Sequence, residues 1–274
     1  MAGSKPKTVI GIDLGGTNLR VGLVKNNKVV KYFKTKTPGT VKEIVGTLFE
    51  GIEKVMTKDV KGIGVSSPGP LGNGIIKNPP NLPFRNYNLK KVLQNKFKKK
   101  VIIENDASCV SIAEAKLGNK KKNFIVLTFG TGIGGGIFID GKPYKGQGYG
   151  GELGHIVLNN GRYFEDFWKD NRKITQKYFG KPLLIKELLK NKDKRAKTCL
   201  NNIARYTGQG IASLINVFDP EIVVLSGGMR ETGNAFLNMI RKEVKNYVIL
   251  PKTTEIKWIK LNHPGVLGAS LLVS

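Results

Sequence analysis

The sequence predicts an α/β protein of two lobes built alike, and three observations carry that expectation. At 274 residues the chain exceeds what one ordinary core needs and suits two. Short β-branched and apolar runs alternate with segments whose apolar positions recur at helical spacing. The order strand, glycine turn, strand opens each half, in Asp13-Leu-Gly-Gly-Thr17 and again in Thr128-Phe-Gly-Thr131, a weak internal repeat. Two similar lobes leave a cleft, where a ligand is expected.

Residues 8–13 read as a strand, a glycine turn follows, and further strands are expected at 20–24 and 28–34, the last with Val29, Val30, Tyr32 and Phe33. The period then changes. Val41, Ile44, Val45, Leu48, Phe49, Ile52, Val55 and Met56 make a continuous stripe down one side of a helix. A buried strand at 62–66 runs into a Pro- and Gly-rich loop, 68–83, too long for a mere connection. A short helix at 89–97, a strand at 101–104 and a helix at 107–117 follow, the last closed by Gly118. The second half restarts with a strand at 123–129, a glycine turn at 130–135 and a returning strand at 136–139, with Asp140-Gly141 as a tight hairpin turn. A long helix ending near Phe218, a strand at 222–225, a helix around 235–244 and an apolar stretch from Val266 complete the pattern.

Bulk composition excludes several classes. Apolar residues make up 40% of the chain, enough to bury a sizeable core. The apolar runs are too short for a membrane-crossing helix, and the polar start at 1–7 lacks the apolar stretch of a secretion signal. Cys109 and Cys199 stand far apart, which argues against a disulfide framework and fits the cytoplasm. Forty-six Lys and Arg against twenty Asp and Glu give a net charge of +26. Such a balance can attract polyanions, but the lysines are scattered, with short clusters only at 98–100 and 120–122. No aromatic platforms interleave with them, so a specific nucleic-acid partner is not expected, nor is a membrane.

Three glycine segments suggest phosphate chemistry. In Ile12-Asp-Leu-Gly-Gly-Thr-Asn-Leu-Arg20, Gly15 and Gly16 let backbone N–H groups approach a phosphate, Thr17 and Asn18 add side-chain donors, and Asp13 can hold Mg²⁺, usually through water. A plain tight turn between strands fits the spacing equally well. Gly130, Thr131 and Gly132 repeat the arrangement in the second half. One such loop is weak, whereas two at equivalent places suggest phosphates gripped from both sides. Ile222-Val-Val-Leu-Ser-Gly-Gly-Met229 runs from a strand into Gly227 and Gly228, suiting a base or ribose against bare backbone, or a simple strand-to-helix turn. Asp106, in Glu104-Asn-Asp-Ala107, sits where a strand meets a helix, so it or Asn105 serves as a helix cap on the residues alone.

Taken in order, these segments resemble the ROK family of sugar kinases, over nearly the whole length. The motifs are Asp13-Leu-Gly-Gly-Thr17, Ser67-Pro-Gly-Pro70, Glu104-Asn-Asp-Ala107, Gly130-Thr-Gly-Ile-Gly134, Gly151-Glu-Leu-Gly-His155, Ser226-Gly-Gly228 and Gly265-Val-Leu-Gly268. The resemblance implies the actin-like (ribonuclease H-like) ATPase fold, each lobe a mixed sheet flanked by helices. It implies a small lobe at 1–110, completed by a helix at about 264–274, and a large lobe at 111–263. It also implies ATP and Mg²⁺ as cofactors and Asp106 as the base that takes the proton of the attacking hydroxyl. The implied sugar contacts are Gly69 through its backbone, Asn81, Asn105, Asp106, Glu152, His155 and Glu165, and the family is often dimeric.

The chain departs from the family at one place. Where most members carry a zinc-binding cysteine cluster, this sequence has Ile156-Val-Leu-Asn-Asn-Gly-Arg-Tyr-Phe-Glu165, with Tyr163 at the last cysteine's position. No zinc is expected, and packing of Tyr163, Phe164, Phe167 and Trp168 is expected to hold this sugar loop. The implied activity is ATP-dependent phosphorylation of a hexose, glucose first, to glucose 6-phosphate. A polyphosphate donor, an N-acetylhexosamine such as N-acetylmannosamine, and a non-catalytic sugar-sensing regulator are the alternatives. The family's regulators carry a helix-turn-helix ahead of the kinase-like part, for which a first strand near residue 8 leaves no room.

Overall fold

The computed structural model describes residues 7–69, 71–72, 74–147 and 150–274. Pro70 of the Ser67-Pro-Gly-Pro70 motif, and all of the polar start except Lys7, lie outside them. The chain forms two compact units, one reaching to Asn119 and including Leu261–Ser274, the other Lys120–Lys260.

In the first unit β1 (Thr8–Leu14), β2 (Asn18–Lys25) and β3 (Lys28–Lys36) form an antiparallel meander. Asn26 and Asn27 turn the second hairpin, both with positive φ, as a right-handed strand twist favours. α1 (Val41–Val55) starts at a reciprocal capping box between Thr40 and Glu43 and buries Ile44, Leu48, Ile52 and Val55. β4 (Val60–Ser67) returns parallel to β1. The Pro/Gly loop holds a small ribbon, β5 (Leu71–Gly72) with β6 (Ile75–Ile76). α2 (Leu89–Phe97) then leads into β7 (Lys100–Asn105), parallel to β4, and α3 (Asp106–Ala113).

The helix expected at 107–117 ends at Ala113 and continues as a wider π turn, Glu114–Gly118. The buried Glu114 carboxylate causes this: its Oε1 accepts from the Asn119 amide (3.0 Å) and side chain (3.2 Å). A Cβ on Gly118 would lie 2.2 Å from Glu114 Oε2, so the glycine makes room and is no left-handed cap.

The second unit repeats the scheme with β8 (Phe124–Phe129), β9 (Ile133–Ile139) and β10 (Lys142–Tyr144). The glycine turn is shorter than expected, because residues 133–135 pair with β8 as strand. Gly135 serves close approach, since its Cβ would fall 2.5 Å from Leu153 Cδ1. A ribbon of β11 (Val157–Asn159) and β12 (Arg162–Tyr163) leads into α4 (Phe164–Phe179), α5 (Ile185–Lys190) and α6 (Lys194–Phe218). β13 (Ile222–Gly227), α7 (Gly233–Lys245) and β14 (Glu255–Trp258) follow.

α8 (Pro264–Leu271) rejoins the first unit. Its backbone touches the sheet directly: a Cβ on Gly64 of β4 would sit 1.7 Å from the Ala269 carbonyl oxygen. On its other side, Gly268 meets the Cys109 carbonyl of α3 at 1.8 Å by the same measure. Among the described residues the sheet orders correspond strand for strand, β3-β2-β1-β4-β7 and β10-β9-β8-β13-β14. Each sheet is an antiparallel meander extended by parallel strands, flanked by helices, with its own apolar core.

Candidate active site

The first group of predicted site residues gathers at the carboxyl ends of β1, β4 and β7. Strand register sets Asp13 beside Ser66, Ser66 beside Glu104, and Ser67 beside Asn105. In α/β sheets this edge is where ligands meet the chain. The turn before β2 is closed by Gly15 N–H donating to Asn18 O (3.0 Å), while Thr37 Oγ1 donates to Gly15 O (2.6 Å). Gly16 faces Asn81: an added Cβ would meet Asn81 Cβ at 2.7 Å and its carbonyl oxygen at 2.9 Å. Gly69, at φ +90°, lies against Pro79 by the same kind of close approach. The structure thus brings Gly16 and Asn81 together from distant parts of the sequence.

Asp13 is held by Arg20, whose Nη1 donates to Oδ2 at 2.7 Å. Burial pushes the Asp13 carboxyl above its ordinary pKa, and the Arg20 charge and hydrogen bond pull the other way. The pairing follows from the β1–β2 register, which sets Asp13 opposite Arg20. Sequence reasoning missed Arg20, although counting back along the hairpin finds it. His263 lies tilted against Tyr32 close by (ring centroids 4.2 Å apart), its pKa lowered by burial and by the Arg20 charge.

At the start of α3 the cap falls to Asn105, whose Oδ1 accepts from Ser108 N–H at 3.1 Å. That leaves its amide NH₂ as the group for a ligand. Asp106 is the first helical residue; its Oδ1 accepts from Ala107 N–H at 2.8 Å.

The second group lies within the second unit. His155 ends a 3₁₀ turn begun after Glu152, and its Nδ1 stands 3.4 Å from Glu152 Oε2. Its Nε2 stands 3.9 Å from Glu165 Oε1, so these three predicted sugar contacts do come together. Glu152 and His155 side chains are exposed (67% and 51%), whereas that of Glu165 is sunk at 14%. Glu165 lies in the first turn of α4, where its Oε2 accepts from Ile133 N–H at 2.8 Å and its Oε1 pairs with Lys169. A Cβ on Gly132 would strike Glu165 Oε2 at 1.9 Å, so the carboxylate fills the place a side chain would need.

Gly227, at φ +106°, pairs with Phe129, so Gly227 and Gly228 adjoin the turn of Gly130, Thr131 and Gly132 at the ends of β13 and β8. The four aromatics expected to hold the sugar loop take different positions. Phe164 is buried, edge-on to Phe129, and Trp168 also meets Phe129 at 5.2 Å. Phe167 turns away to stack on Tyr206 at 3.9 Å, and Tyr163, 43% exposed, meets the edge of His155 at 5.5 Å. Among the described residues no three His, Cys, Asp or Glu side chains are grouped to hold a metal.

A family model described as the ROK family matches residues 9–176 and 161–274. This chain belongs to the ROK family. It is 29% identical to a glucokinase of Thermotoga maritima over 97% of this chain and 96% of that protein. It is also 26% identical to a xylose repressor of Caldicellulosiruptor bescii, over 91% of this chain and 73% of the repressor. Among solved structures, a ROK family glucokinase from Streptomyces griseus, in complex with glucose and AMPPNP, superposes with a TM-score of 0.83 at 25% identity, covering 97% and 99% of the two chains. The mixed sheet flanked by helices in each unit is thus that of the actin-like ATPase fold found in ROK sugar kinases.

Proposed function

We propose that this ROK chain is an ATP- and Mg²⁺-dependent hexose kinase acting on glucose at its 6-hydroxyl. A sugar kinase is the reading its ROK glucokinase relatives support. The observation that carries it is Asp106 at the start of α3, beside the strand ends that also bear Asp13 and its glycine turn. Asp106 takes the proton of the sugar hydroxyl as that oxygen attacks the γ-phosphorus, and the bond to the β,γ-bridging oxygen breaks to release ADP. Phosphoryl transfer asks little covalent chemistry of a protein, so positioning and charge stabilisation carry most of the rate.

Gly69, Asn81, the Asn105 amide, Glu152 and His155 bind the sugar hydroxyls, with Glu165 steadying His155. The N–H groups of Gly16, Thr17 and Asn18, and of Thr131 and Gly132, turn toward the phosphates, Gly15 and Gly130 close the two turns through their own N–H groups, and Gly227 and Gly228 lie under the nucleoside. Mg²⁺ would neutralise phosphate charge. Asp13 suits it, because a single carboxylate beside phosphates is what this ion usually takes from a protein. Arg20 occupies Oδ2 and leaves Oδ1 for the ion's water.

The test is an assay of sugars against donors. ADP should form from ATP only when a hexose is added, glucose giving the highest kcat/KM among glucose, mannose and N-acetylmannosamine. Sugar binding without ADP formation would favour a regulator. With a net charge of +26, polyphosphate is the second donor to include, and turnover with it alone would reassign the donor. Elemental analysis of the protein should find less than about 0.1 zinc per chain, four ligands being what structural zinc needs. No helix among the described residues is long and apolar enough to cross a membrane. The buried thiols of Cys109 and Cys199 are compatible with a cytoplasmic enzyme, as a dimer or alone.

A further inference from the structure

The sequence contains two tryptophans, and both use the indole N–H in the same way. Trp168 Nε1, on α4, donates to the carbonyl of Gly130 at 3.0 Å. Trp258 Nε1, on β14, donates to the carbonyl of Gly233 at 2.8 Å. Gly130 opens the turn proposed to grip phosphate. Gly233, at φ +60°, opens α7 five residues after Gly228, at the far end of the short 3₁₀ turn Gly228–Thr232 that leaves the segment proposed to lie under the nucleoside. We propose that Trp168 and Trp258 are positioning residues for the phosphoryl donor, Trp168 pinning the turn at 130–132 and Trp258 the far end of the stretch that starts at Gly227 and Gly228. This inference rests on the kinase reading above.

A glycine segment free in solution samples many backbone conformations, and a ligand that needs one of them must order it on binding. An anchor that fixes the segment beforehand removes that cost from binding. Within the turn at 130–132, Gly130 N–H donates to Gly132 O at 2.9 Å. The indole adds a hydrogen bond from outside, and the Trp168 ring is itself fixed edge-on to the buried Phe129. Glu165, three residues earlier on the same face of α4, takes the Ile133 N–H at the other end of the turn. One helix therefore grips the turn at both ends. Trp258 is held in a comparable way, its backbone paired with Leu225 of β13 two residues before Gly227. A phenylalanine keeps an aromatic ring at the site but loses both the donor and part of the indole's volume, so Tm is read beside binding to separate the two.

Trp168→Phe and Trp258→Phe should each weaken binding of Mg-AMPPNP, a non-hydrolysable ATP analogue, about three- to tenfold by calorimetry, as loss of one hydrogen bond predicts. Glucose Kd should stay within about twofold of wild type, and KM for ATP should rise more than kcat falls. The double variant should show roughly the product of the two losses, since the two anchors act on separate segments. Unchanged nucleotide affinity in both variants would overturn the inference while leaving the kinase reading intact. Equal weakening of glucose and nucleotide, with a fall in Tm, would also overturn it, by showing a general packing role. Wild-type protein that binds glucose but no nucleotide would instead bring down the kinase reading, and this inference with it.

Discussion

Asp106→Asn is expected to lower kcat at least about 100-fold, or about 2.7 kcal/mol in the barrier, while glucose Kd stays within about threefold. The amide has the shape of the carboxylate and one oxygen, so it can still accept from Ala107 N–H as Asp106 Oδ1 does. It has no basic site for the hydroxyl proton. Asn105 caps α3 through Ser108 and is untouched by the change, so the helix start should remain as it is. Steady-state kinetics together with glucose titration separate the two effects. A variant with wild-type kcat would remove Asp106 as the base, and one that had lost glucose affinity alone would make it a binding residue.

The largest stability loss is expected at a glycine within β4. Gly64→Ala should destabilise the first unit by about 3 kcal/mol, the upper end of ordinary overpacking, because the new methyl would stand 1.7 Å from the Ala269 carbonyl oxygen. Backbone cannot move aside as a flexible side chain does, so α8 must lift from β4. Gly46, in the middle of α1, is the contrast. An added Cβ there meets nothing within 4 Å, so Gly46→Ala should stabilise by roughly 0.5–1 kcal/mol through helix propensity. Denaturant melts of both variants test the pair. A Gly64→Ala protein as stable as wild type would show that α8 does not seat on β4 as described.

Much of this fold was legible because local pattern and tertiary role agree. The apolar stripe from Val41 to Met56 is a helix because one side of it faces a core, and Thr40 with Glu43 marks its start. The repeated strand, glycine turn and strand became two sheets of matching order. Two of the misreadings share one physical cause: glycine signals a turn by default, yet here it often serves close approach. Residues 133–135 are strand paired with β8, where Gly135 leaves room for Leu153, and Gly118 yields space to a buried Glu114. α4 escaped notice because Phe164, Phe167 and Trp168 looked like the packing of a loop, whereas from a helix Phe164 and Trp168 meet Phe129 and Phe167 meets Tyr206. Short β14, only Glu255–Trp258, carries too little pattern to announce itself. In the site, the position of Glu165 could be read but not its bond to Ile133 N–H, which depends on how two distant segments fold together.

The seat of α8 sets an order of events on the ribosome. The surfaces it covers, on β1, β4 and α3, are translated first, and residues 264–271 leave the exit tunnel after the whole of Lys120–Lys260. The second unit is contiguous in sequence and can collapse as soon as it is complete, in the manner of an ordinary nascent domain. The first must wait with its glycine-floored trough open to water and to chaperones. Vectorial synthesis therefore finishes the older half of this chain last, and a nascent chain cut short within α8 would leave the lobe that carries Asp106 unsealed.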